Sequence, residues 1–374
     1  MKYTFTYTFT ILIIIFGTMN GNAKKNNMDK DLLQKSLVVL QQITREGNIE
    51  SKAKAASVWG LFNNESSKKM LHQLMQEKNH DIVSESALAL YTLGDKTGKQ
   101  VLEDILEETI TIDEHATQIQ KFKSYSLFRF RKISAARVLG KIGDAESFRM
   151  IKTLRSETGD GQIRDGCSIA LAMLGDPGER VIFENAVSID KTTDPSLRKT
   201  AVKALGIIGS SASIGVLKKS LIDPDPQVRA ESAHALGDIG LLDTAVYLRN
   251  RADDEDIRVT REVIRALGKI FDPQNLPVIE HALDSDDGVL KVIAAGSIGP
   301  YGYTKGLEYI EIALKDKDRD ARLQAVKSIA LISDKKLLKL LEPMLEDADD
   351  LVRMYAAETI INKLINKKQG GYND

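Results

Sequence analysis

Cysteine is nearly missing from this chain. Cys167 stands alone, which excludes an internal disulfide. Its position among small residues reads as a buried space-filler, since free cysteine is among the most buried residue types. Net charge is nearly missing too: 52 Lys plus Arg face 53 Asp plus Glu. Wholesale binding to nucleic acid would need a basic excess, so nucleic acid is not an expected partner. No apolar run reaches a membrane-spanning length. The longest, Phe9 to Met19, is about half of the roughly 20 residues that a spanning helix needs. A Gly-x-Ser-x-Gly nucleophile turn, a phosphate-binding loop and a dinucleotide fingerprint are all absent.

What the chain does contain begins with a leader. Lys2 precedes a stretch alternating Thr with aromatics, then the apolar core Ile11 to Phe16, then the small residues around Gly21-Asn22-Ala23. This order reads as a secretory signal over residues 1–23 and places the mature protein in the periplasm or outside the cell. An uncleaved anchor is the alternative. No cysteine near the cleavage region provides for lipid modification. The 43% of hydrophobic residues suffices for a core.

Repetition dominates the rest. The stretch Asp225 to Gly240, DPQVRAESAHALGDIG, recurs so that Gly60, Tyr91, Gly140, Ala172, Gly206, Gly237, Gly268, Gly299, Ala330 and Ile361 occupy one equivalent position. The steps are 31, 49, 32, 34, 31, 31, 31, 31 and 31 residues. Twelve residues before that position stand Asp160, Asp194, Asp225, Asp256, Asp287, Asp318 and Asp349, with Asn48 and Asn79 in the first two copies. Asp or Asn is what a helix N-cap requires. Pro195 and Pro226 follow on the first helical residue, where a missing N–H costs nothing. Four residues past the cap comes a basic column: Lys52, Lys132, Arg164, Arg198, Arg229, Lys291, Arg322 and Arg353, with Val83 and Thr260 as exceptions. Small residues such as Ala201, Ala233 and Ala294 then precede a large apolar one such as Trp59, Leu205 or Leu236. That spacing makes a single helical stripe in need of a partner. A second helix follows each turn, so each repeat is predicted to be a helical hairpin.

The pattern Asp-x-x-x-Arg-x-x-Ala-Ala-x-Ala-Leu-Gly-x-Ile-Gly-Asp resembles the HEAT repeat, in the short bacterial type also seen in phycobilisome lyases. The resemblance covers roughly residues 30 to 365. It implies an all-α, armadillo-like α-solenoid of about ten stacked hairpins, with a concave surface on which partners dock. The expected organisation is a signal peptide over 1–23, a capping helix over 24–47 with a polar outer face, a solenoid over 48–366 and a flexible tail over 367–374. The cap is expected from the spacing of Leu32, Leu33, Leu37, Val38 and Leu40. The family spans scaffolds, lyase subunits, metal-dependent hydroxylases and nucleic-acid enzymes, so the fold leaves function open. Those hydroxylases hold iron with His-Glu pairs, whereas His72, His80, His115, His234 and His281 are each followed by Gln, Asp or Ala. No cofactor and no catalytic or metal residue is assigned.

Two features carry functional expectations. The 49-residue step holds an extra 18 residues near 107–127. There Phe122, Tyr125, Phe128 and Phe130 alternate with Lys121, Lys123, Arg129 and Arg131. They read either as a grip on an anionic or flat partner, or as a short extra helix closing the gap between repeats two and three, where the cap slot is Phe128. Within the same insert, Asp113, Glu114 and His115 read as a polar surface loop rather than a closed metal site, which needs three or four converging ligands. The second feature is a column on the first helices: Arg137, Lys141, Lys203, His234, Arg265, Lys269 and Lys327, beside Glu231 and Glu262. It reads as a basic stripe docking an acidic segment of a protein partner, or as the solvated face that any surface helix needs. The basic and capping columns read as architecture, each guanidinium reaching a capping carboxylate or helix end. Together these features predict a non-catalytic exported scaffold or adaptor. The alternative is an enzyme subunit similar to the phycobilisome lyase subunits, or a cofactor-binding protein of this type.

Overall fold

In the computed structural model the described residues are 27–111, 113–188, 194–302 and 304–365. The predicted leader and tail lie outside them. Helix α1 (Asn27–Glu46) stands first and alone. Nine hairpins follow: α2 (Ile49–Trp59) with α3 (Glu65–Leu74), α4 (His80–Thr92) with α5 (Thr97–Glu107), α6 (Gln118–Ile142) with α7 (Ala145–Glu157), and α8 (Gly161–Met173) with α9 (Pro177–Ser188). Then come α10 (Pro195–Ile208) with α11 (Ile214–Ser220), α12 (Pro226–Ile239) with α13 (Ala245–Arg249), and α14 (Ile257–Lys269) with α15 (Leu276–His281). The last are α16 (Gly288–Ile298) with α17 (Leu307–Ala313), α18 (Arg319–Leu331) with α19 (Leu338–Leu341), and the single helix α20 (Asp350–Ile365). This is an all-α repeat fold of the solenoid class, and no strand occurs among the described residues.

The caps form as the sequence predicts. The Asp225 carboxylate accepts from the N–H groups of Gln227 and Val228, and Asp349 does the same for Leu351 and Val352. First helices pack on one another in succession, α2 on α4 and each from α6 to α14 on the next as far as α16, and the glycine column explains how closely. A Cβ on Gly237 would lie 2.7 Å from that of Ala266, and one on Gly206 2.9 Å from that of Ala235. Helices approaching this closely leave room for hydrogen alone. Large aliphatics such as Leu205, Leu236 and Leu267 fill the layer beside the glycines and are fully buried.

The basic column bridges differently from the expectation. Arg198 makes two hydrogen bonds to the Asp223 carboxylate, at 2.8 and 2.7 Å. Arg229 does so with Asp254 at 3.0 and 2.8 Å, and Arg322 with Asp347 at 2.7 and 2.9 Å. The acceptor is therefore not the capping residue but the aspartate two positions before it. That carboxylate also accepts the cap's own N–H, as Asp254 does from Asp256. A remaining guanidinium N–H turns back to the loop before its own helix, Arg229 to the Asp223 carbonyl and Arg353 to that of Asp347. Arg229 and Arg322 thus each tie two successive loops together. Arg229 is 4% exposed and Asp254 not at all, so these are interior ion pairs rather than the weak surface pairs the column suggests. Burial would raise the Asp254 pKa, yet Arg229, the Asp256 N–H and Arg251 together hold it below the usual carboxylate range. In the copy with Thr260, its hydroxyl takes the backbone role, bonding the Asp254 carbonyl, and Arg261 next to it reaches Asp287.

The chain forms two compact units. One comprises the described residues up to Val101 with 317–329 and 334–365; the other comprises 102–316 with 330–333. Inside the first unit, α1 departs from the expected cap. Its apolar face, Leu32, Leu33, Leu37, Leu40 and Ile43, is buried, and the helix packs chiefly on α20 and then on α2. Helix α20 has no second helix of its own among the described residues, and α1 takes that place. The last repeat is completed by the first helix, so no polar outer face is required there. Polar contacts rim this joint: Lys35 with Glu342 at 2.6 Å, Lys54 with Glu358 at 2.7 Å, and the Asn48 N–H donating to Asp350 at 3.0 Å.

Candidate interaction surfaces

The stripe residues of the second unit stand on the first helices α6, α10, α12 and α14, and those of α12 and α14 touch across the helix boundary. From α12, His234 faces Glu262 of α14 at 3.5 Å and Asp238 of its own helix at 3.3 Å. In return, Lys269 of α14 reaches back to Asp238 at 2.5 Å, and Arg265 is paired with Glu262. Burial works to raise the Glu262 pKa, but the His234 hydrogen bond and the Arg265 charge bring it down to about 2. The hydrogen bond to Glu262 raises the His234 pKa against burial, with Asp238 adding to the rise and Lys269 opposing it. Between α12 and α14 the stripe is thus an alternating network, its cations already balanced. Lys141 and Lys203 lie exposed on α6 and α10, while Arg137 is half-buried, its Nε without an acceptor among the described residues. Lys327 belongs to the other unit, where its ammonium stands 4.6 Å from the centre of the Tyr355 ring, which Lys54 also contacts at 4.9 Å.

The insert forms no separate short helix. Its first part is a loop, and its second part extends α6 so that this helix starts after Thr117 rather than at the slot held by Phe128. Phe128 cannot cap, whereas Thr117 and Gln120 close a capping box. That Thr-x-x-Gln pair was the sequence signal for the true start. The aromatic-basic run divides between two roles. Tyr125 donates to Asp160 at 3.0 Å, and Arg129 reaches the same carboxylate at 2.8 Å. Arg131 pairs with Glu108 at 2.6 Å. Lys132 is buried on the Leu106 carbonyl and over the Phe128 ring. These side chains fasten α6 to its neighbours. Phe122 and Ile119, by contrast, are 71% and 69% exposed.

Asp113 accepts from the His115 N–H, forming a turn at the surface. Among the described residues no group of three His, Cys, Asp or Glu side chains is arranged to hold a metal ion. His72 instead meets Asp95, in the turn of the next hairpin, at 3.0 Å. Burial pushes the Cys167 thiol up to about 12, which leaves it protonated and inert.

A family model of HEAT repeats matches residues 37–116, 216–299 and 307–362. No curated protein matches the sequence. Among solved structures, an engineered protein is 19% identical over 88% of this chain and 99% of its own, with a TM-score of 0.31. Human deoxyhypusine hydroxylase in complex with glycerol is 14% identical over 74% of this chain and 99% of its own, with a TM-score of 0.33. The complex of CpcE and CpcF of phycocyanin lyase from Nostoc sp. contains a chain 20% identical over 79% of this chain and 94% of its own, with a TM-score of 0.30. None of these likenesses bears on what this chain binds.

Proposed function

The chain belongs to the HEAT repeat family, and from that premise we propose that it is a non-catalytic exported scaffold or adaptor, holding a protein partner by small contacts spread over successive repeats. The observation that carries the reading is the continuity of the charged strip. His234, Glu262, Lys269 and Asp238 interlock across α12 and α14, so a partner lying across these helices meets one surface rather than separate posts. The arrangement suits an extended segment bound at several points. Acidic groups on that segment would find Lys141 and Lys203, whereas Arg265 and His234 already have carboxylates. Export rests on the leader-like order of Lys2, Ile11 to Phe16 and Gly21-Asn22-Ala23.

Co-purification from envelope extracts tests this reading, with wild type beside the Lys141→Glu, Lys203→Glu variant. Both positions are exposed, so the variant keeps its fold. The expected result is a protein enriched with wild type and reduced about tenfold with the variant. A chain that enriches no protein but carries a metal or a pigment absorbing in the visible overturns the scaffold and supports the enzyme-subunit alternative.

A further inference from the structure

The extension of α6 presents a face that the packing of the array does not use. Ile119, Phe122 and Ser126 follow one another at helical spacing along one side, with Lys123 and Leu127 beside them. Phe122 and Ile119 are mostly exposed, and Leu127 nearly half so. The same segment is pinned by Tyr125 and Arg129 to Asp160 and by Arg131 to Glu108, so the exposed residues stand on a fixed helix. Surface positions are ordinarily polar, and a line of large apolar groups on a rigid element marks a contact site.

We propose that this face docks an amphipathic helix of a partner protein, its apolar stripe laid on Phe122 and Ile119 and its flanking acidic residues meeting Lys123 and Lys121. The proposal deepens the protein-binding reading by naming a site and the partner's chemistry. Charge decides the occupant. Helix α6 carries no acidic residue along its length and none in its first turn to offset the positive end of the helix. Lys123 lies in the stripe itself, and Lys121, on the flank, is held by the Glu114 carbonyl at 2.9 Å. An anionic bilayer fits less well, because Asp113 and Glu114 in the preceding turn would press against its headgroups. A second copy of this chain would bring the Lys121 and Lys123 charges of both molecules onto one contact.

A display library of amphipathic helical peptides, roughly 18 residues long with a fixed apolar stripe and randomised flanks, tests the proposal. Selection uses the full chain. The expected winners carry Asp or Glu beside the stripe, and their Kd rises about tenfold or more with Phe122→Ala and with Lys123→Glu. Thermal melts of both variants match wild type, since neither side chain is in the core. Winners without acidic flanks, or winners whose Kd ignores both substitutions, overturn the α6 site while leaving the protein-binding reading intact. A library that yields no winner overturns this site, and with no partner in the co-purification it overturns that reading as well. Two further results would reassign the face: Phe122-dependent binding to phosphatidylglycerol vesicles to a lipid surface, and Phe122-dependent dimerisation in sedimentation to a second copy.

Discussion

The joint between two successive repeats and the joint that completes the last repeat are held by different chemistry. Between α12 and α14, consecutive in the chain, a buried guanidinium spans the loops and Arg229 matches the Asp254 carboxylate atom for atom. Between α20 and α1, more than 300 residues apart, no such arginine stands among the described residues. Arg353 turns to Asp350 of its own helix, and that carboxylate accepts the Asn48 N–H instead. The contact there is apolar inside and ionic only at the rim, where Lys35 and Glu342 are both exposed. A buried bidentate pair tolerates one register, whereas an apolar face with exposed ion pairs tolerates several. Where the covalent chain already brings helices together the sequence adds a specific lock, and where it does not, fit alone sets the alignment.

The contrast is broken most severely by Arg229→Ala. Asp254 stays charged and buried with only Arg251 and the Asp256 N–H left to it, and unfolding in urea should show a loss of about 3 kcal/mol. A loss under about 1 kcal/mol would place this pair with ordinary surface pairs and erase the difference between the joints. Next in size is the α12–α14 network. Glu262 is held at about 2 against an ordinary 4.5, so its contribution is present in full above about pH 4.5 and disappears as pH falls towards 2. His234 is shifted upward, so its contribution is complete below its ordinary value near 6.5 and is lost as pH rises through the folded value. Glu262→Gln should lower stability at pH 6 by about 1–2 kcal/mol and flatten the acid limb of the curve. An unchanged acid limb would show that the network does not form in solution. At the end joint Lys54→Ala removes one cation from the Tyr355 ring and one rim pair, for about 1 kcal/mol by thermal unfolding. Lys35→Ala comes last. Its pairs are solvent-exposed, and no change in melting temperature is expected at moderate salt; a clear drop would mean that the rim, rather than the apolar face, aligns α1 on α20.

Much of this was legible in the residues. Asp caps, proline at the first helical position and the small-large stripe are local signals, and they repeat often enough to fix every first helix but one. The exception, α6, was readable too, because Thr117 and Gln120 spell a capping box; the 31-residue ruler pointed to Phe128 instead. Other features carry no local signature. That Arg198 meets Asp223 follows from how one hairpin stacks on the next, and the 25-residue separation has no meaning until that stacking is known. The pairing of α1 with α20 joins residues more than 300 positions apart. Leu32, Leu33 and Leu37 announce a buried face without saying what buries it. Among the candidate surfaces, the sequence located the α6 insert but not the division of its aromatics, since which residues of a helix are pinned depends on Asp160 and Glu108 from elsewhere.

The shared last repeat also imposes an order in time. Among the described helices α1 is made first and α20 last, so during synthesis the apolar face of α1 waits, with only α2 against it, for a surface that does not yet exist. Contacts this distant in sequence form late and slowly, and exposed apolar faces are where nascent chains go astray. Another molecule's α20 is chemically the same surface as the chain's own. Above a threshold of local concentration, two newborn chains can complete each other's last repeat before either completes its own, giving an exchanged dimer held by native contacts.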